Sequence, residues 1–279
     1  MMPTTDIPIA FYTPILVNNG QSKLVRNPVC QEIPLQIRIN DEPYVTLMRT
    51  PGLEKEHAVG FCFTDNIIRD VAEITEIQCL FGQGSPWIQA VLLTIPSLSG
   101  KPITRGPSLK SSSGSVNRAQ ILDEVFQNIS PVRSQKRFDC QILDLFPERL
   151  HACQVLRSKC GATHGSALLD EFGHTLFCAE DVGRHNGLDK LIGYVLLNRI
   201  DTNDKLLMLS SRASFEMIQK ALRISIPVVA SISAPTELAL QVADHLQCTY
   251  ISFLKKKGYY IYTHAWRFGF SEEKLSESC

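Results

Sequence analysis

Lys205-Leu206-Leu207-Met208-Leu209-Ser210-Ser211-Arg212-Ala213-Ser214-Phe215-Glu216-Met217-Ile218-Gln219-Lys220-Ala221-Leu222 decides the fold class. Its apolar opening, Lys205 to Leu209, is short and uninterrupted, as in a strand covered on both faces. A polar turn follows, and Ser214 to Leu222 places its apolar residues on one helical face. The pattern then repeats downstream. A strand is predicted at Pro227 to Ser231, a helix at Thr236 to Leu246, and strands near Tyr250 to Phe253 and Tyr259 to Tyr262. Upstream lie a hairpin over Ala167 to Ala179, with Phe172-Gly173 near its turn, and a helix from about Leu188 to Leu197. Strands alternating with helices indicate a layered α/β sheet.

Further out the pattern changes. Ile33, Leu35, Ile37 and Ile39 alternate with polar residues, which reads as a half-buried strand, and Tyr44 to Arg49 as its partner after an Asn40-Asp41 turn. Glu54 and Glu56 ahead of Ala58, Val59, Phe61, Cys62 and Phe63 mark a helix start, because acidic side chains suit its dipole. Trp87 to Ile95 is a further strand. Residues 31–95 thus form a small α+β domain, and residues 1–30, rich in Pro and Asn, an arm or irregular edge. Residues 96–116 are a Pro- and Ser-rich linker loop of the kind that is often functional or disordered. Residues 117–270 form the C-terminal domain, opening with a helix capped by Asn117 whose apolar positions are Ile121, Leu122, Val125, Phe126 and Ile129.

Composition excludes several classes. The chain has 279 residues, with 28 basic side chains against 28 acidic ones. That balance argues against general binding to nucleic acid or to a membrane surface. The nine cysteines are scattered without a Cys-x-x-Cys pair, which suits a reducing cytoplasm better than a disulfide scaffold. Met1 to Asn19 lacks the basic and apolar regions of a signal peptide. No apolar run approaches the roughly 20 residues of a membrane helix.

Polar clusters occupy the strand-to-helix turns, where open α/β sheets bind ligands. In Glu180-Asp181-Val182-Gly183-Arg184-His185-Asn186, Arg184 offers a guanidinium to an anion, although a satisfied charge network at a helix start explains the same residues. Ser210 to Ser214 combines hydroxyls, Arg212 and a helix N-terminus, a plausible phosphate site or simply an N-cap. Ser233-Ala234-Pro235-Thr236 reads as helix initiation with Pro in the first turn. Cys160-Gly161-Ala162-Thr163-His164 sets a thiol and an imidazole among small residues. With Cys153 and His151 it invites a zinc reading, but the spacing does not match compact ligand pairs, so buried thiols and no metal are expected. Lys255-Lys256-Lys257 is a solvated turn, unless it faces the two anion-binding loops.

These segments resemble the FdhD family of sulfur carriers. The resemblance rests on Glu32-x-Pro34-Leu35, Leu47-Met48-x-Thr50-Pro51, Gly60-Phe61 and Gly161-x-Thr163-His164. It continues through Glu180 to Asn186, Asp189-Lys190, Ser211-Arg212-Ala213-Ser214-x-Glu216-Met217, Ser233 to Thr236, and Tyr262-Thr263. The motifs run in the family's order from residue 32 to about 267. The resemblance implies a cytidine deaminase-like three-layer α/β/α domain with a smaller N-terminal α+β domain, and a homodimer. It also implies sulfur delivery from a cysteine desulfurase to the molybdenum bis-(guanine dinucleotide) cofactor, before the cofactor enters formate dehydrogenase. The cofactor-binding residues it implies are Phe253, Leu254, Lys255, Lys256, Lys257 and Gly258, with Arg212, Ser211, Arg184, His185, His164 and Thr163, and GDP is a fragment of that cofactor. The deaminase zinc signature is absent, so deamination is not expected.

One departure concerns the chemistry itself. The family carries Cys-Gly-x-Cys-Gly at the end of the linker, and its first cysteine holds the persulfide. This chain has Ser113 and Val116 at the two cysteine positions, and neither side chain contains sulfur. Either another thiol substitutes, for which Cys160 is the candidate, or the protein binds the cofactor as a carrier or regulator without transferring sulfur. A residual-metal hydrolase is the third and weakest reading.

Overall fold

The computed structural model describes residues 7–101, 118–253 and 258–270. Its larger layer is a six-stranded sheet in the order β10-β9-β11-β12-β13-β14. The strands are β9 (His164–Leu169), β10 (Thr175–Asp181), β11 (Leu206–Leu209), β12 (Val228–Ser231), β13 (Thr249–Phe253) and β14 (Tyr259–Ile261). β11, β12 and β13 run parallel, while β9, β10 and β14 complete the sheet in antiparallel pairings. Helices α5 (Arg184–Leu197), α6 (Phe215–Arg223) and α7 (Glu237–His245) follow β10, β11 and β12. The crossover geometry explains why the parallel strands are buried on both faces. Along β11, Leu207 and Leu209 enter one core, and Leu206 and Met208 the other. The second core is closed by Phe138, Leu143 and Phe268 together with Phe146 and Leu150 of α3 (Phe146–Cys153). Helices therefore cover both faces of a mixed α/β sheet, as the alternating pattern indicates.

The smaller layer is a four-stranded sheet, β6-β5-β8-β7. It comprises β5 (Ile33–Ile39), β6 (Glu42–Arg49), β7 (Glu76–Phe81) and β8 (Ile88–Thr94), with helix α1 (Glu54–Thr64) between β6 and β7. Leu35, Ile37 and Ile39 of β5 are buried, as their alternation predicts. α1 is pressed against α5 at two glycines. A Cβ on Gly60 would lie 1.9 Å from the Asp189 carbonyl oxygen, and one on Gly193 would lie 1.8 Å from that of Glu56. Only hydrogen fits there. One hydrophobic cluster consequently runs without a break from β5 and α1 through α5 to β11 and α6.

The structure corrects several details of the sequence reading. Residues 9–30, expected to be irregular, form two antiparallel ribbons. β1 (Ile9–Tyr12) pairs with β4 (Asn27–Cys30), and β2 (Ile15–Asn18) with β3 (Gln21–Leu24). Both faces of the β2-β3 ribbon are exposed, which removes the alternation that would betray strands. β7, α3 and the six-residue helix α4 (Val155–Cys160) have no counterpart in the prediction. α5 begins four residues earlier than expected, at Arg184, directly after the tight Gly183 turn. Helix α2 (Arg118–Asn128) follows the predicted cap at Asn117, a residue that lies outside the described ones. Most of the 96–116 segment also lies outside them, apart from a short 3-10 turn at Pro96–Leu98.

Candidate functional site

Strand direction gathers the polar clusters along one edge. Asp181 at the end of β10 lies opposite His164 at the start of β9. Leu209 lies opposite Ser166 and Ser231, Ser231 opposite Ser252, and Phe253 opposite Tyr259. The turns after β10, β11 and β12 thus emerge side by side, together with the residue that opens β9 and the last residue of β13. The N-termini of α5, α6 and α7 point to the same edge, and their free N–H groups favour an anion there.

Part of the densest motif is consumed by the joint with the smaller layer. Asp181 and Lys190 are buried and paired at 2.7 Å. Asp181 also accepts the Thr50 N–H at 3.0 Å, the Gly183 N–H at 2.9 Å and the Asn186 amide at 3.0 Å. Lys190 Nζ donates to the Thr50 carbonyl at 2.7 Å, and Thr50 Oγ1 accepts the Val182 N–H at 3.1 Å. Asn186 donates to the Met48 carbonyl at 2.8 Å. The Thr50-Pro51 segment is therefore bolted to the start of α5. Burial pushes the Lys190 pKa down, opposed by the neighbouring carboxylate of Asp181. Beside it Arg49 pairs with Glu54 at 3.0 Å, and Lys220 with the buried Asp189. For Asp181, Asn186 and Lys190 the satisfied charge network is the correct reading.

The remaining polar groups lie along the edge. Glu180 accepts the Leu156 and Arg157 N–H groups at 2.6 and 2.9 Å, and the Thr163 hydroxyl at 2.9 Å, fixing the start of α4 against β10. Arg157 in turn donates to the Thr163 carbonyl at 2.7 Å. Ser210 accepts the Gly165 N–H at 2.8 Å, joining the β11 turn to β9. Several buried polar atoms among the described residues lack a hydrogen-bond partner, and His164 Nδ1, Arg184 Nε and Ser214 Oγ are the ones at these turns. Ser214 is the N-cap of α6 by position but makes no side-chain cap bond, whereas Thr236 caps α7 through the Ala239 N–H. Pro235 precedes that cap and so lies outside the first turn that the sequence predicts for it. Arg212 is exposed, and the Ser211 hydroxyl donates to the Arg212 carbonyl.

The imidazoles here are neutral. His164 is pushed down by burial and then by Arg157 and Arg184. His185 lies 3.3 Å from Glu216, yet burial followed by Lys220 and Arg184 lowers its pKa to about 4. Arg184 and Arg157 are accordingly the fixed charges nearest His164.

The candidate thiol Cys160 ends α4 and donates to the Leu156 carbonyl at 3.1 Å. Its sulfur interacts with that of Cys30 at the end of β4, whose thiol burial pushes up. Cys30 touches Thr50 Oγ1 at 3.4 Å. Cys160 is half-buried rather than a core cysteine. Arg157, Cys30 and Gln154 escaped the sequence reading, since α4 is too short to show a period and Cys30 sits in the presumed arm. Ser113, Val116, Leu254, Lys255, Lys256 and Lys257 lie outside the described residues, whereas Phe253 and Gly258 are among them. Two adjoining cavities, of 570 and 710 Å³, lie elsewhere, at the C-terminal ends of α1, α5 and α6, and share Phe63, Arg69 and Arg223. Arg223 Nε, which lines both cavities, is also buried without a partner. We place the site at the strand edge because three such atoms of different chemistry lie there beside helix N-termini, whereas helix C-termini disfavour anions.

Comparison with known proteins gives one consistent result. The family model of the FdhD/NarQ family matches residues 30–269. A sulfur carrier protein FdhD of Thermoplasma volcanium is 33% identical over 247 residues, covering 86% of this chain and 88% of that protein. One from Mycolicibacterium paratuberculosis is 34% identical over 260 residues, covering 90% and 95%. The crystal structure of a putative formate dehydrogenase accessory protein from Desulfotalea psychrophila superposes with a TM-score of 0.74 at 23% identity, covering 94% of this chain and 99% of that one. Among the described residues no helix is long and apolar enough to cross a membrane.

Proposed function

Because this chain belongs to the FdhD/NarQ family, we propose that it is an accessory protein for formate dehydrogenase that holds the molybdenum bis-(guanine dinucleotide) cofactor at the strand-end edge of its larger sheet. The observation that carries this reading is the set of unpartnered buried polar atoms, His164 Nδ1, Arg184 Nε and Ser214 Oγ, beside three helix N-termini. Buried polar groups without partners are costly, and a polar ligand relieves that cost. Arg184 and Arg212 supply the charge that pyrophosphate groups need, His164 offers its unpartnered Nδ1, and the buried Thr163 and Ser211 hold the backbone behind them. Phe253 ends β13 at the same edge, the family resemblance adds Lys255 to Lys257 and Gly258 to the cofactor-binding set, and His185 follows Arg184 in the first turn of α5. Titration calorimetry with GDP as the cofactor fragment tests this. Arg212→Ala should weaken binding about tenfold, the usual worth of one charge-assisted hydrogen bond. An affinity unchanged by Arg212→Ala and by replacing all three lysines with alanine would count decisively against the site.

Sulfur delivery is the second part of the reading, and it falls to Cys160. Serine and valine at 113 and 116 cannot take up sulfur. Cys160 adjoins the Thr163-His164 corner of the proposed site, and Cys30 stands beside it as a second thiol. In such a step the Cys160 thiolate takes the outer sulfur of a desulfurase persulfide, and the desulfurase leaves as its own thiolate. Incubation with a cysteine desulfurase and cysteine, followed by intact mass measurement, should add one sulfur to the wild type and none to Cys160→Ala. An unmodified wild type leaves the carrier or regulator role, in which the cofactor is held and handed on without chemistry. The reading makes cysteine desulfurase and formate dehydrogenase its partners, the cytoplasm its location and a homodimer its assembly, which light scattering on the eluted protein checks.

A further inference from the structure

We propose that Cys153 and Cys178 are a site of reversible oxidation, a dithiol that closes to a disulfide and pins the α3–α4 segment to strand β10. Cys153 is the last residue of α3, and Cys178 sits in the middle of β10. Their sulfurs are in contact at 2.6 Å, not far beyond an S–S bond length of about 2.05 Å. Both are half-buried and pack against the second core.

The surrounding chemistry distinguishes this pair from the other thiols. Cys62 and Cys248 are fully buried, and burial pushes both thiols up, that of Cys248 to about 12. Burial also raises Cys30 and Cys79. Cys153 moves the other way, because its contact with Cys178 favours its thiolate more strongly than burial and Glu180 oppose it. The same contact, with burial, pushes the Cys178 thiol up. Two sulfurs in contact can serve in turn as nucleophile and resolving thiol.

The oxidant is a low-molecular-weight disulfide such as oxidised glutathione. The Cys153 thiolate attacks one of its sulfurs, forming a mixed disulfide and releasing one small thiolate, which takes up the Cys178 proton. The Cys178 thiolate then attacks the Cys153 sulfur and expels the second small thiolate. Two protein thiols are oxidised, and one small disulfide is reduced to two thiols. Excess thiol reverses both steps. Such disulfides in reducing compartments are typically transient and sensing ones.

The location gives the bond a consequence. Gln154, next to Cys153, is buried and packs under Gly165, beside His164. Glu180, two residues beyond Cys178, already holds the first N–H groups of α4. A disulfide fastens the same segment covalently.

The test uses the full chain treated with oxidised glutathione, blocked with an alkylating agent and mapped by peptide mass spectrometry. The expected product is a Cys153–Cys178 cross-link that lowers the intact mass by two hydrogens, raises Tm and disappears with dithiothreitol. In Cys178→Ser, Cys153 should instead retain glutathione. Wild-type protein that shows no cross-link, stable glutathione on both residues, or a cross-link between other cysteines would overturn the proposal. The wild-type map decides even if the variant fails to fold, and GDP binding plays no part in the readout.

Discussion

Lys190 carries the joint between the two layers on one ammonium group. It is buried, and its donors are spent on Asp181 and the Thr50 carbonyl, with a longer contact to the Glu180 carbonyl at 3.3 Å. Removing one member of such a pair strands the other charge. Lys190→Met should therefore cost about 3–5 kcal/mol of unfolding free energy in urea titrations, and Lys190→Met with Asp181→Asn should cost less. A double variant no better than the single one would show that the hydrogen bonds to Thr50, rather than the charge, carry the joint. His185 gives a prediction on pH. Its folded pKa is about 4, and its unfolded value is near 6.5. Between those values the unfolded chain binds the extra proton, so stability falls as pH drops from about 6.5 towards 4 and is unaffected by this group above that window. His57, fully buried, and His164 are pushed down as well and act in the same direction. His185→Gln should reduce the stability loss between about pH 7 and pH 5.5 without abolishing it. An identical pH slope in the variant would refute the role assigned to His185.

Packing of α1 against α5 is the interaction on which the elements depend most. Gly60 and Gly193 each face the other helix's backbone, and a methyl group at either would overlap a carbonyl oxygen. Gly193→Ala should destabilise by at least about 2 kcal/mol, because overpacking forces the helix axes apart. A change within about 0.5 kcal/mol would mean that the helices separate freely. Neither glycine shows this role in sequence, where Gly60 is only part of a motif and Gly193 an unremarked helix residue. β11, α6, β12 and α7 were readable because each hides one face or two and so carries a period. α4 and the β2-β3 ribbon were not, one being too short and the other exposed on both faces.

Across the whole molecule the hydrophobic core does not divide at the linker. It passes from β5 through α1 and α5 into the six-stranded sheet. Calorimetry should show a single transition whose van't Hoff and calorimetric enthalpies agree, and two separate peaks would contradict the shared core. The alternation of periods, the order of the motifs and the replacement of the two linker cysteines by Ser113 and Val116 were all fixed by the order of residues alone. Those are local properties, set by side-chain spacing and by which atoms a side chain contains. Tertiary structure alone decided which motif residues are spent on the joint and which remain unpaired at the edge. It also brought Cys153 to Cys178 and Cys160 to Cys30. Strand register and helix crossing create such neighbours between residues far apart in the chain, and no local pattern encodes them.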